Sequence, residues 1–249
     1  KIEKLGKIVL FGLRRSLKVS TKYFHQELNN FNEMTKSTIT SKKRVTDHGE
    51  VFTSEREVNA MLDLVKQETE RIDSRFLEPA CGDGNFLSEI LNRKLKIVEG
   101  RYRKSQNELD KYSLVAITSI YGVELLEDNV ERCRERLFDI YLDWYNSVLQ
   151  GQQNEQLFDC VEFVLSKNII HGDALTLKTV GENEEPIIFS EWSFTQNMVK
   201  RRGFSFDELL KNEGIRDTPL FSDLGDDVFL PRTIEEFPLV HYLELADNV

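Results

Sequence analysis

Apolar and polar positions along this chain fall into two rhythms, and the switch between them is sharpest near residue 80. Phe76-Leu77-Glu78 starts apolar and gives way to the small residues Pro79-Ala80-Cys81-Gly82-Asp83-Gly84-Asn85. Apolar positions then return at helical spacing in Phe86-Leu87-Ser88-Glu89-Ile90-Leu91. This pattern predicts a strand, a glycine turn and a helix over residues 86–97. Upstream, Val58, Met61, Leu62 and Val65 form a helical stripe. Ser54 is placed to cap that helix, with Glu57 three positions on as in a capping box. Downstream, residues 98–112 are charged and predict a longer helix with Arg101, Arg103 and Lys104 on its surface. Leu114 to Val123 predicts a strand ending at Glu124. Val130, Cys133, Leu137, Ile140 and Tyr141 predict the buried face of the next helix, and Phe158 to Leu165 a further one. Asn168 to Leu175 predicts a short strand ending in an acidic turn, and Pro186 to Phe194 a fourth strand.

Strands alternating with helices predict an α/β domain with a mostly parallel sheet and helices on both faces. We place it at residues 45–200. Residues 1–44 predict a basic helical arm, and residues 201–249, with Pro219, Pro231 and Pro238, an irregular C-terminal extension. Lys200-Arg201-Arg202 reads as a solvated basic turn or a contact to a phosphate backbone.

Composition narrows the picture. Apolar residues make up 40% of the 249, enough for a core, and no run approaches membrane-spanning length. Cys81, Cys133 and Cys160 show neither metal-ligand spacing nor a disulfide framework, so we expect no metal and a cytoplasmic location. The net charge of -10 is uneven. Residues 1–47 hold eleven Lys and Arg against four Asp and Glu, so the remainder is strongly acidic. An acidic body does not suit unaided binding to a phosphate backbone.

Candidate chemistry clusters at the predicted strand ends. In an open parallel sheet the carboxyl ends share one edge, where ligands bind. Glu78 and Asp83 fall at the first, Glu124 at the second and Asp173 at the third. A carboxylate after the second strand suits a ribose diol, since it accepts from both hydroxyls. One strand further, Asp173 can accept from an adenine amino group. Gly82 and Gly84 allow close approach of a ligand to the backbone. No Lys follows the glycines as in a phosphate loop. A dinucleotide-type site would want a third Gly near Phe86 or Leu87.

These residues carry a family resemblance. Leu77-Glu78-Pro79-Ala80-Cys81-Gly82-Asp83-Gly84-Asn85-Phe86-Leu87 resembles the first S-adenosylmethionine motif of bacterial DNA adenine-N6 methyltransferases. Gly49-Glu50-Val51-Phe52-Thr53-Ser54 is similar to the Gly-x-Phe-Thr-Pro segment of restriction–modification subunits. Tyr121-Gly122-Val123-Glu124 resembles the second motif and Gly172-Asp173-Ala174-Leu175 the third. The resemblance covers residues 45–176 and implies a Rossmann-like S-adenosylmethionine-dependent methyltransferase fold. It implies that Thr53 touches the methionine carboxylate end of the cofactor, with Phe52 beside it as a residue of either the cofactor site or the core. Glu78, Ala80 and Gly82 would line its methionine part, with Cys81, Asp83, Gly84, Asn85 and Phe86 as further cofactor-binding candidates of the same motif. Glu124 would hold the ribose and Leu125 the adenine face, while Asp173 and Ala174 would meet the adenine edge.

One part departs from the family. Its fourth motif, a polar residue followed by Pro-Pro and an aromatic, has no counterpart, because the chain contains no Pro-Pro. Ser190-Glu191-Trp192-Ser193 stands at the expected place. Ser190 or Glu191 would accept from the target amine and Trp192 would stack on a flipped base. We therefore expect a DNA methyltransferase, adenine N6 by resemblance. The alternatives are a cofactor-binding subunit of a hetero-oligomer whose partner reads the DNA, and a methyltransferase for RNA, protein or a small molecule. No membrane association is expected.

Overall fold

In the computed structural model of the chain, residues 53–149, 153–207 and 233–247 are described. The N-terminal arm and Phe52 lie outside them. Helix α1 (Glu55–Asp63) opens as expected, with the Ser54 amide donating to Glu57 at 3.1 Å. Its stripe is Val58 and Leu62, both buried. A single turn, α2 (Lys66–Thr69), leads to β1 (Phe76–Glu78). Next come α3 (Asn85–Tyr102), α4 (Gln106–Thr118), β2 (Ile120–Glu124), α5 (Glu127–Leu149), α6 (Glu155–Asn168) and β3 (Ile169–Asp173).

Strands β1, β2 and β3 pair in parallel in that order, and β4 (Lys178–Thr179) adds antiparallel at the far side. Glu78 lies level with Gly122, and Glu124 with His171. The three carboxyl ends therefore form one edge. Strand β2 is buried along its whole length.

The expected strand from Leu114 is corrected at its start: Leu114 to Thr118 complete α4, and the strand begins at Ile120. A continuous apolar run does not distinguish a helix buried on several sides from a strand. Here Leu109, Leu114, Ala116 and Ile117 are all buried in α4, and the helix stops where the Ser119 hydroxyl turns back to the Ala116 carbonyl at 2.7 Å.

Lys94 sits in the buried face of α3 beside Leu91, Leu95 and Val98. Its ammonium donates to the carbonyls of Ile72 and Ser74 and to the Ser119 hydroxyl. It thereby ties together the segments entering β1 and β2. Burial pushes its pKa down to about 7.

The expected fourth strand exists, but not in the parallel sheet. Strand β5 (Ile188–Thr195) forms a hairpin with β6 (Met198–Ser205), and β7 (Thr233–His241) completes a separate antiparallel sheet in the order β5-β6-β7. The boundary expected at residue 200 thus falls inside β6, and part of the segment expected to be irregular is a strand. Lys200-Arg201-Arg202 is strand, not turn. Lys200 pairs with Glu236 at 2.9 Å and Arg202 with Glu191 at 3.4 Å, while Arg201 lies 3.9 Å over the Phe237 ring. Among the described residues no helix is long and apolar enough to cross a membrane.

Candidate active site

The turn after β1 is shaped by two glycines with left-handed backbone, Gly82 at φ 54° and Gly84 at φ 89°. Side chains are strained in that region. Gly84 has a second reason to be glycine. A Cβ there would stand 2.7 Å from Cys133 Sγ on α5. Gly122 plays the same part in β2, where a Cβ would meet Cys81 Sγ at 2.8 Å. Cys81 is therefore a packing residue pressed against β2 and Cys133. Contact with the Cys133 thiol, together with burial, pushes the Cys81 thiol well above its ordinary pKa, which suits packing rather than nucleophilic chemistry.

The turn is tied to the end of β2 by backbone and side chain. The Cys81 amide donates to the Val123 carbonyl at 3.0 Å. Glu124 accepts from the Gly82 amide at 2.9 Å and from the Leu126 amide at 3.0 Å, one bond on each carboxylate oxygen. Glu124 is 8% exposed. Each oxygen keeps a lone pair, so a diol can still be accepted.

Glu78 stands at the end of β1, and no basic side chain among the described residues pairs with it. Burial raises its pKa to about 8, opposed only by a hydrogen bond from the Ala80 backbone. A half-buried carboxyl without a counter-ion is matched to a cationic ligand group. Pro79 is buried and Ala80 exposed at the surface of the turn.

At the end of β3, Asp173 accepts from the Leu175 amide at 2.8 Å through one oxygen, which orders the acidic turn. Ala174 packs against the core. Leu125 and Leu175, 47% and 51% exposed, stand beside the acids at the ends of β2 and β3. His171 Nε2 donates to the Leu125 carbonyl at 3.1 Å. It joins the two strand ends, a role that its place in the sequence did not reveal. Leu175 stands two residues after Asp173, whereas Leu125 directly follows Glu124, so no shared spacing pointed to it.

Asp83 and Asn85 turn toward α5. Arg136 donates to Asp83 Oδ2 and to Asn85 Oδ1, each at 2.6 Å, and Asn85 Nδ2 donates to the Thr53 carbonyl at 3.4 Å. Phe86 is half-buried against the core. The structure thus gathers Thr53, Glu78, Ala80 to Phe86, Glu124, Leu125, Asp173 and Ala174 around one edge. Phe52 falls outside the described residues.

Ser190, Glu191 and Trp192 do not join them, and this corrects the expectation of a base-holding triplet. All three lie in β5, against the opposite, amino ends of the parallel strands. The Tyr121 hydroxyl donates to the Ser190 carbonyl at 2.9 Å. The Ser190 hydroxyl is 3.0 Å from Arg201 Nε, which donates to it. Glu191 is held between Arg75 at 3.3 Å and Arg202 at 3.4 Å. Trp192 is 5% exposed, and its indole N–H donates to Asn168 Oδ1 at 2.9 Å. A buried tryptophan with its polar atom satisfied is a core residue, with no ring face open to a base.

A family model described as MmeI, DNA-methyltransferase domain, matches residues 52–182, more than half of the chain. The chain belongs to this family of restriction–modification DNA methyltransferases. No curated protein and no solved structure matches the chain. The region shared with the MmeI methyltransferase domain runs from α1 through β4 and so contains the whole acidic edge. It ends before β5, leaving Ser190, Glu191 and Trp192 outside.

Proposed function

We propose that the carboxyl edge of β1, β2 and β3 binds S-adenosyl-L-methionine, and that the chain uses it in the methylation of DNA at adenine N6. The observation that carries this reading is the convergence of Glu78, the Gly82–Gly84 turn, Glu124 and Asp173 on one edge of the parallel strands. The residues fit the cofactor. Glu78, protonated in the empty site, can release its proton and become the counter-ion when the cationic methionine end binds beside it. Glu124 has acceptor capacity left for the ribose hydroxyls. Leu125, Ala174 and Leu175 offer apolar surface for a purine, and Asp173 keeps one carboxylate oxygen for its amino group.

When bound, S-adenosylmethionine supplies an electrophilic methyl group on a sulfonium. The chain contributes orientation and charge: the turn fixes the methionine end, and the strand-end acids fix the nucleoside. A target amine has to approach over this same edge, and its acceptors have to face it.

A second reading is favoured by one observation. Ser190, Glu191 and Trp192 pack at the amino ends of the strands, so the residues expected to hold the base are elsewhere. In this reading the chain is the cofactor-binding part of a hetero-oligomer, and a partner supplies the base-holding loop and the DNA contacts. The acidic body agrees with a partner that carries the phosphate contacts.

Calorimetric titration with S-adenosylmethionine and S-adenosylhomocysteine tests the first claim. Radiolabelled methyl transfer to unmethylated DNA, followed by digestion and mass spectrometry of the nucleosides, tests the second. We expect cofactor binding by the chain alone and N6-methyladenine as product. Absence of binding overturns the cofactor site. Transfer only after a partner chain is added selects the second reading.

A further inference from the structure

Helix α5 contacts the glycine turn through two side chains three residues apart, on one face of the helix. Cys133 sets the distance, since its sulfur occupies the space that a Cβ on Gly84 would need. Arg136 supplies the hydrogen bonds. One guanidinium nitrogen reaches Asp83 and the other reaches Asn85, both at 2.6 Å. Because Arg136 occupies the amide oxygen of Asn85, the amide nitrogen is turned to the Thr53 carbonyl, at 3.4 Å. A single cation therefore links α5, both polar side chains of the turn and the segment that enters α1.

We propose that Arg136 is the positioning residue of the cofactor site, holding the turn and the Thr53 segment in the geometry that the ligand requires. The inference rests on the cofactor reading given above. Two features support it. A planar fork serves two acceptors at fixed separation, which an ammonium on a flexible stem does not reproduce. Arg136 is also a surface residue, 38% exposed, while Asp83 is 17% exposed. Surface ion pairs contribute little to global stability, so the role lies in local geometry. The turn itself depends on it, because Gly82 and Gly84 leave the backbone between them free to take other conformations.

The test is calorimetric titration of S-adenosylhomocysteine into the full chain and its R136Q, R136K, D83N and D83N/R136Q variants, with thermal melts in parallel. For R136Q we expect a Kd raised about tenfold to a hundredfold, the scale on which misplaced binding groups act, with a melting temperature within about 3 °C of the parent. R136K keeps the charge but loses the fork, so we expect it to recover only part of the affinity. The D83N/R136Q variant should bind no more weakly than the weaker single variant, because both remove the same link. Unchanged affinity in R136Q overturns the proposal. So do additive losses in the double variant, or losses that track the fall in melting temperature. If the parent chain itself does not bind, the cofactor reading fails and the Arg136 proposal falls with it; parental binding with unaltered R136Q binding removes Arg136 alone.

Discussion

Glu124 Oε2 accepts a hydrogen bond from the Gly82 amide at 2.9 Å, so the carboxylate that ends β2 also holds the turn that follows β1. Its second oxygen takes the Leu126 amide at 3.0 Å. Removing a charged acceptor from two amides costs roughly 1.5–3 kcal/mol for each bond. Glu124→Ala is therefore expected to lower both the melting temperature and the cofactor affinity, the latter by at least about tenfold. Glu124→Gln keeps one acceptor oxygen and should fall between. Calorimetry and thermal melts read both quantities. Full cofactor affinity in the alanine variant would remove Glu124 from the site.

Gly84→Ala combines a left-handed backbone with a contact of 2.7 Å to Cys133 Sγ. We expect a destabilisation of about 2–4 kcal/mol in urea unfolding, the sum of backbone strain and overpacking. Adding Cys133→Ala should relieve the overpacking but not the strain, so part of the loss should return. A double variant no more stable than Gly84→Ala would show that the thiol is not the obstacle.

Two buried groups give the ligand-free chain opposite pH dependences. Burial raises the Glu78 carboxyl from 4.5 to about 8, so the folded state holds a proton that the unfolded chain has released. This contribution is full below pH 4.5 and is lost as pH rises through 8. Burial lowers the Lys94 ammonium from 10.5 to about 7, so the unfolded chain holds the extra proton and stability rises from pH 7 toward 10.5. Each group contributes a slope of about 1.4 kcal/mol per pH unit within its window. The chain should be least stable near pH 7–8. Urea unfolding across pH 5–10 measures the curve. Glu78→Gln should flatten its acid limb and Lys94→Met its alkaline limb, and a curve unchanged by either variant would exclude that group.

Ser190→Ala should leave methyl transfer within about twofold of the parent, because its hydroxyl meets Arg201 at the amino ends of the strands. Trp192→Phe should cost about 1–3 kcal/mol of stability, through lost packing and a buried Asn168 oxygen without its donor, while cofactor affinity holds. A large loss of transfer in Ser190→Ala at normal melting temperature would return the residue to the chemistry. The assay should use whichever composition, chain alone or with partner, supports transfer.

The acidic edge proposed to hold the cofactor is legible in the sequence because its parts are local. A strand, a glycine turn and a helix start follow one another within twelve residues, and the acids at Glu124 and Asp173 end apolar runs of their own. The rest depended on contacts between segments distant in sequence. Nothing in the helical pattern of α5 marks Arg136 as the partner of Asp83 and Asn85, about fifty residues earlier. Lys94 reads as one more charge on a polar helix until the carbonyls of Ile72 and Ser74 are brought over it. Leu114 to Thr118 looked like strand because burial on several sides removes the amphipathic signature that identifies a helix. The Ser190 segment was misjudged for a different reason: its place in the order of motifs suggested a role, while its pairing with Met198 to Ser205 put it in another sheet.

The two thiols beneath the glycine turn also give the site a built-in reporter. Cys81 and Cys133 are buried, at 7% and 0% exposure, and each blocks a Cβ at a glycine of the site or its neighbouring strand. An alkylating reagent can reach them only when the turn lifts from α5. Their labelling rate therefore counts how often the empty site opens, and the factor by which a ligand slows that rate measures its grip on the turn without any need for a reaction.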